Sequence, residues 1–242
     1  GERLALQLGD QAQAVVALLD SVALHDTPRV LGAGYLPAQP WSPDSGALLL
    51  PGMELPLHIF EPRYRALVQD ASARDRRIGM IQPRGANEGD RPDVYMTGCA
   101  GRIISFGETD DGRYLITLNG LARFDIVEEK PLRDGFRTVV PDWSPYREDF
   151  ADLPANGIDR DRIFSALKAY FAATNVNANW EAIKETRTDR LVNALSMMCP
   201  FQPSEKQALL EAASLERRAE TLVALLEMSV AANDDAAPPL RN

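Results

Sequence analysis

The sequence predicts an α+β protein in which a β-rich lobe precedes a helical lobe. Short runs rich in Val, Ile, Tyr and Phe alternate with Gly-containing turns over residues 46–142, a pattern typical of a small barrel or sandwich. From residue 158 to 232 the apolar residues recur at helical spacing instead. A connector rich in Pro, Asp and Glu, residues 143–157, separates the two patterns. We therefore expect two lobes that meet at this connector.

The chain divides on this basis into four parts. Residues 1–30 are predicted to be a helical extension, 31–145 the β-rich lobe, 146–232 the helical lobe and 233–242 a flexible tail. The extension carries apolar residues at helical spacing: Leu4, Leu8, Val15, Leu19 and Val22. A stretch rich in Pro and Gly, residues 28–43, follows it and predicts a linker or an irregular entry to the β-rich lobe.

Within the β-rich lobe the composition predicts several short strands, at residues 94–96, 102–106, 114–118, 123–127 and 136–140. Gly98 and Gly101 separate the first two runs. Asp111-Gly112 lies between β-rich runs and predicts a hairpin. One helix is expected to interrupt the strands: it begins at Pro62, and its apolar stripe consists of Tyr64, Leu67, Val68 and Ala71.

The helical lobe is predicted to hold three helices. Ile163, Leu167, Tyr170 and Phe171 mark the first, and Leu191, Val192, Leu195 and Met198 mark a second that stops before Pro200. Residues 204–207, Ser-Glu-Lys-Gln, have the pattern of a capping box that opens the third. This third helix is expected to continue through Leu215, Ala219, Leu222 and Leu226.

The net charge of −9 argues against nucleic acid as a partner, because phosphate binding depends on clustered positive charge. Arg74, Arg76 and Arg77 form the densest basic cluster, which we interpret as a solvated helix end. No apolar run approaches the roughly 20 residues that a membrane helix needs, so no membrane partner is expected. The two cysteines, Cys99 and Cys199, lie far apart in sequence, which favours two buried thiols over a disulfide. Free thiols in turn favour a cytoplasmic location.

Motifs that carry chemistry are missing from the sequence. The sequence contains no Gly-rich phosphate loop followed by Lys, no dinucleotide fingerprint and no G-x-S-x-G turn. The two His and two Cys are too dispersed for a metal site, and His58, within an apolar run, is interpreted as a packed histidine. Cys99 lies among small residues and is predicted to be a buried, unreactive strand residue. We expect no catalytic residues, no metal and no cofactor.

Several ordered motifs together resemble the amino-terminal substrate-binding domain of the Lon protease family. The most specific is residues 48–64, LLLPGMELPLHIFEPRY. Residues 75–83, 98–103 and 120–124 continue the pattern at the family's spacing, and residues 204–211 resemble the family's closing helix. The resemblance covers roughly residues 46–230. It departs from the family at residues 40–45, where Ser42 and Asp44 stand in place of apolar residues of a first strand.

This resemblance implies a PUA-like β-barrel lobe, followed by an α-helical bundle lobe. It implies a non-catalytic module that recognises polypeptides, as an adaptor or a chaperone-like protein in bacterial protein quality control. Its expected partners are unfolded or partly folded polypeptides, or a protease or chaperone. A homodimer formed through the extension is a further alternative.

The candidate polypeptide-binding residues are Glu61, Arg63, Tyr64, Phe124 and Trp143. For Glu61 and Arg63 the alternative is a structural ion pair that braces the junction between a strand and the helix at Pro62. Two other functions compete with polypeptide recognition. One is RNA binding by analogy with PUA folds, which needs a basic, aromatic-lined face. The other is a small-molecule hydrolase in a cleft between the lobes, which needs convergent polar groups.

Overall fold

The computed structural model describes residues 31–34, 47–84, 93–151 and 157–236. The predicted extension at 1–30, the departure at 40–45 and the last residues of the tail lie outside these ranges. Within them the protein is a mixed α and β structure whose sheet is mainly antiparallel. Among the described residues no helix is long and apolar enough to cross a membrane.

The strands are β1 (Leu31–Gly34), β2 (Glu54–Ile59), β3 (Arg77–Met80), β4 (Thr97–Glu108), β5 (Tyr114–Arg133) and β6 (Phe136–Asp142). The helices are α1 (Pro62–Ser72), a 3-10 helix (Ser144–Phe150), α2 (Arg160–Thr174), α3 (Trp180–Glu185), α4 (Thr188–Met198), α5 (Pro203–Glu211) and α6 (Leu215–Ala236). β1 falls in the stretch that the sequence predicted to be irregular, and α3 was not predicted.

The six strands form one sheet in the order β2-β5-β4-β3-β1-β6, in which β1 and β3 are parallel and the remaining pairs are antiparallel. β6 also pairs with β5, which it follows in the chain. Among the described residues β2 pairs with β5 alone, so the sheet as a whole is not a closed barrel. The family resemblance implied a β-barrel lobe followed by helices; the sheet and the helices agree with it broadly, but the barrel is not closed.

Glycines lie inside two long strands where the sequence predicted shorter runs: β5 contains the predicted runs 114–118 and 123–127, and β4 contains 102–106, while the predicted run 94–96 lies outside β4. Gly98 and Gly101 lie inside β4 and Gly120 lies inside β5. A Cβ atom at Gly98 would lie 2.6 Å from the Met80 carbonyl oxygen, and one at Gly120 would collide with the Leu50 carbonyl. These glycines therefore permit close backbone approach within the sheet, whereas the sequence analysis treated Gly98 and Gly101 as strand breaks.

The predicted hairpin at Asp111-Gly112 is present and joins β4 to β5. Gly112 has φ +77, a conformation that residues with a Cβ atom rarely adopt. The predicted helix at Pro62 is also present as α1, and its buried residues are the predicted stripe, Tyr64, Leu67, Val68 and Ala71. This stripe packs one face of α1 in the core while the opposite face remains accessible.

The helices differ from the prediction mainly around residue 212. The predicted third helix is two helices, α5 and α6, separated by residues 212–214. α5 begins at Pro203, and its cap is formed by Glu205, whose carboxylate accepts from the Gln202 amide at 2.7 Å. Ser214 caps α6, because its hydroxyl accepts from the Arg217 amide at 3.3 Å. The predicted capping box at Ser204 is therefore displaced towards the amino terminus by two residues.

Two compact units can be distinguished by their internal contacts. Among the described residues one unit contains 157–195 and 212–236, where α2 packs on α6. The other contains the whole sheet together with residues 196–211, which include α5. The sequence placed α5 in the helical lobe because periodicity reports that a segment is helical but not which surface its apolar face meets.

Candidate functional site

The five predicted binding residues form two groups in the sheet unit. Glu61 and Arg63 make an ion pair at 2.8 Å, and each side chain is about one-third exposed. The Arg63 guanidinium lies over the ring of Tyr64, 4.9 Å from its centre, and Tyr64 itself is buried. The ion pair predicted at the strand–helix junction is thus present. A role of these three residues in binding stays a prediction.

Phe124 and Trp143 form the second group. Their rings are 5.5 Å apart, and Trp143 also contacts Phe150 at 6.4 Å. Phe124 has no exposed surface and belongs to a core cluster with Ile81, Ala100, Ile126 and Val139. Trp143 is half-buried at the margin of this cluster. A bound chain would meet Trp143 before Phe124, and their role in binding also stays a prediction.

Four large apolar side chains that were not predicted to be binding residues are exposed near the tip of the β4–β5 hairpin. Their exposed fractions are close to one half: Phe60 53%, Ile104 47%, Phe106 52% and Leu115 49%. We call these four residues the hairpin patch. Exposed apolar groups that lie together on a surface mark interaction sites more often than isolated ones do.

Strand pairing shows which face of the sheet these residues lie on. Leu115 of β5 lies directly opposite His58 of β2, and the His58 ring is 6.4 Å from the ring of Phe60. On the opposite face of the sheet, Phe106 contacts Tyr114 with ring centres 5.1 Å apart. A bulge between Ile103 and Ser105 leaves Ile104 without a directly paired residue. The tip of the hairpin is therefore apolar on both faces.

A signal for this patch was present in the sequence. Neighbouring residues of a strand point to opposite faces, so consecutive apolar residues in a strand make both faces apolar. Ile103-Ile104 and Tyr114-Leu115-Ile116 are such runs. These runs were used to predict strands, but not to predict which of their two apolar faces the core would leave exposed.

The charged groups around the hairpin turn are mostly acidic. Glu108 and Asp110 are exposed, while Asp111 pairs with Arg113 at 2.9 Å. A hydrogen bond from the Thr109 hydroxyl, together with the nearby backbone and charge of Arg113, lowers the pKa of Asp111 below its ordinary value. Acidic side chains therefore outnumber basic ones at the turn, and this excess of negative charge would repel phosphate.

The base of the same hairpin holds a buried ionic group, which we call the Arg123 network. Its members are Arg123, Asp149, Tyr146, Thr97 and Asp125. Arg123 donates to Asp149 through Nε at 2.8 Å and through Nη2 at 2.7 Å, and it donates through Nη1 to the Leu210 carbonyl at 3.1 Å. Both side chains of the pair are less than 10% exposed.

The remaining members hold the 3-10 helix against the sheet. The Tyr146 hydroxyl and the Thr97 hydroxyl both donate to Asp125, at 3.0 and 2.7 Å. The Arg123 guanidinium lies 4.5 Å from the centre of the Tyr146 ring. Burial lowers the pKa of Arg123, but the hydrogen bond and charge of Asp149 outweigh it, so the pKa is raised overall. A paired, fully charged guanidinium of this kind stabilises structure and is not available to a substrate.

Other chemistry is limited in the described residues. No group of three or more His, Cys, Asp or Glu side chains in them is placed to hold a metal ion. Cys99 and Cys199 are both buried free thiols, as predicted. Burial raises the pKa of Cys199 to about 12. Lys206, which is also buried, donates to the Met197 carbonyl at 3.2 Å, and burial lowers its pKa.

Comparison with known proteins agrees with the resemblance noted in the sequence. The sequence profile of the ATP-dependent protease La (LON) substrate-binding domain matches residues 40–228. The chain is 27% identical to Lon protease 2 of Myxococcus xanthus over 207 residues, covering 84% of this chain and 24% of that protein. It is 25% identical to Lon protease of Anaeromyxobacter dehalogenans over 225 residues, covering 90% of this chain and 26% of that protein. The chain thus spans about a quarter of the length of these curated relatives.

Solved structures share the fold at lower identity. A Lon N-terminal domain protein from Xanthomonas campestris superposes with a TM-score of 0.57 at 19% identity, covering 81% of this chain and 97% of that one. The N-terminal domain of Mycobacterium avium complex Lon protease superposes with a TM-score of 0.56 at 16% identity, covering 82% of this chain and 98% of that one. Since the profile match extends over most of the sequence, the chain belongs to the LON substrate-binding domain family.

Proposed function

We propose that this protein recognises unfolded polypeptide and that the hairpin patch is its contact surface. The observation that carries the proposal is the half-exposure of four large apolar side chains at one hairpin of a substrate-binding domain. Burying one such side chain against a bound chain is favourable by about 1.5–3 kcal/mol for a side chain that was fully exposed, and by less for one half-exposed. Because Phe106 and Leu115 lie on opposite faces of the sheet, their contributions add for a client that wraps around the tip of the hairpin.

The patch is suited to segments without a fixed sequence. Apolar contacts are non-directional, so they select for exposed hydrophobicity and not for a particular motif. The protein would act without chemistry of its own, as an adaptor or chaperone-like module that presents clients to a protease or chaperone. Its sheet unit is proposed to be a PUA-like variant, supported by the return of β6 onto β5. A homodimer is not part of the proposal.

RNA binding is the function most easily separated from this one. Phosphate contacts release counterions, so RNA affinity falls steeply as salt is added, whereas apolar burial is hardly screened. The carboxylates of the hairpin turn, Glu108 and Asp110, place negative charge next to the patch. We therefore expect affinity for unfolded polypeptide that changes little with salt, and negligible affinity for a structured RNA.

The test is fluorescence anisotropy with a labelled, permanently unfolded polypeptide and, separately, a labelled structured RNA. The double variant Phe106→Ser/Leu115→Ser is expected to weaken polypeptide binding roughly tenfold or more, since two apolar anchors are lost. Val127→Ser is the matched control, because Val127 lies on the same strand, is 66% exposed and is remote in sequence from the turn. Equal loss in both variants, or tight RNA binding that salt abolishes, would contradict the proposal.

A further inference from the structure

One arginine beside the hairpin patch has no anionic partner. Arg65 lies in α1. Two nearby arginines do have anionic partners: Arg63, in the same helix, pairs with Glu61, and Arg74, just after the helix, pairs with Asp70. Among the described residues no carboxylate lies within ion-pair distance of Arg65, and its buried Nε makes no hydrogen bond. A buried polar atom without a partner costs about 1–3 kcal/mol, which is why such atoms are rare and call for an explanation.

The position of Arg65 is held by its neighbours. Its guanidinium carbon lies 5.1 Å from the centre of the Tyr114 ring, and its Nη2 lies 3.8 Å from the place a Cβ would take at Gly112 in the hairpin turn. Gln69, one turn further along α1, donates to the Tyr114 hydroxyl at 2.6 Å. This hydrogen bond fixes the aromatic ring on which the guanidinium rests.

Tyr114 also connects Arg65 to the hairpin patch. The ring of Phe106, half exposed, is 5.1 Å from the same Tyr114 ring. An apolar side chain and a positively charged donor therefore both lie against the Tyr114 ring. A ligand that uses both must carry an apolar group and an anionic group within a single residue or two of each other.

We propose that Arg65 binds the terminal carboxylate of a polypeptide whose last residue is apolar, while that residue's side chain packs on Phe106. This inference rests on the proposed function of the hairpin patch, and it names the class of polypeptide segment that the patch prefers. The planar guanidinium donates two parallel hydrogen bonds to a carboxylate, a geometry that a terminal α-carboxylate satisfies.

The surrounding charges favour a terminal carboxylate over an acidic segment. Glu108 pairs with Tyr114 across the two strands and so faces the same side of the sheet as Arg65. With Asp110 also exposed at the turn and a net charge of −9, a chain carrying several Asp or Glu would be repelled. A single carboxylate at the end of an apolar segment meets the guanidinium with little of that repulsion.

The experiment compares two labelled peptides of identical, predominantly apolar sequence, one ending in a free carboxylate and the other in an amide. Wild-type protein is expected to bind the free acid roughly tenfold more tightly, the value of one charge-assisted contact at a partly exposed site. Arg65→Gln should reduce this ratio to about one, whatever its effect on the affinity for the amide. Glu108→Gln should increase it, because a repulsive charge is removed.

Arg113→Gln is the control, since Arg113 lies at the same turn but is already paired with Asp111. It should leave the ratio between the two peptides as in wild type. The ratio is unaffected by a general loss of folding, which would weaken both peptides alike. Equal affinity of wild type for the two peptides would overturn the inference and leave the proposed function standing. Failure of both peptides to bind would overturn the inference and the proposed function together.

Discussion

The long hairpin of β4 and β5 is built differently at its two ends. Near the turn, Phe106 and Leu115 are half exposed on opposite faces of the sheet. At the base, Phe124 is fully buried and Arg123 forms a bidentate ion pair with Asp149. The same two strands thus supply both an accessible apolar surface and a rigid anchor. The difference teaches that one pair of strands can expose apolar side chains at one end while buried contacts hold its other end in the core.

The first and largest expected effect concerns the anchor. Asp149→Ala leaves the Arg123 guanidinium buried without its counter-charge, so we expect a loss of about 3–5 kcal/mol in the free energy of unfolding. Urea denaturation of wild type and variant measures it. Asp111→Ala, which removes the exposed partner of Arg113 and of the Thr109 hydroxyl at the turn, should have a much smaller effect on stability. Equal losses of stability in the two variants would show that the base and the turn of the hairpin are held equally strongly.

The second expectation uses the glycines of β4. At Gly98 a Cβ would lie 2.6 Å from the Met80 carbonyl oxygen and 2.8 Å from the Phe124 ring. Gly98→Ala should therefore destabilise the protein by about 1–3 kcal/mol. At Gly107 the nearest such atom is 4.0 Å away, so Gly107→Ala should be neutral or slightly stabilising. Thermal unfolding of both variants checks this, and destabilisation by Gly107→Ala would remove the distinction between base and tip.

The third expectation concerns Cys199, in the segment 196–211 that groups with the sheet. Its folded pKa is raised to about 12 by burial, above the value of a solvated thiol. The unfolded chain therefore loses its proton first, and stability is lost as pH rises from about 8.5 towards 12. By pH 10 the loss from this group is about 2 kcal/mol. The difference in stability between wild type and Cys199→Ala, measured by denaturation at pH 7 and pH 10, should shrink by that amount. A constant difference would contradict it.

The smallest expected effect is at the tip. Phe106→Ser is expected to lower the free energy of unfolding by about 1 kcal/mol, because the half-exposed ring loses its contact with Tyr114. It should also weaken polypeptide binding, which depends on the exposed half of the ring. Parallel measurement of unfolding and binding separates the two. A strongly destabilised Phe106→Ser protein would place this residue in the core and undermine the proposed contact surface.

Several elements were predictable because their signals are local. Pro62 and the stripe Tyr64, Leu67, Val68 and Ala71 predicted α1, and Asp111-Gly112 predicted the hairpin, since each depends on residues close in sequence. The family motif at residues 48–64 predicted the fold class. The strand breaks at Gly98 and Gly101 were wrong because a glycine required for close backbone approach looks identical in sequence to one required for a turn.

The sequence by itself determined the family, the order of β-rich and helical regions and the scarcity of catalytic motifs, because these follow from residue type and spacing. Only the tertiary structure decided that Phe124 is buried while Phe106 is half exposed, and that Arg123 is paired while Arg65 is not. Each of these outcomes depends on contacts between residues far apart in the chain, such as Arg123 with Asp149 and Arg65 with Tyr114. Periodicity shows that a side chain faces one side of an element, but only the packed structure shows what covers that side.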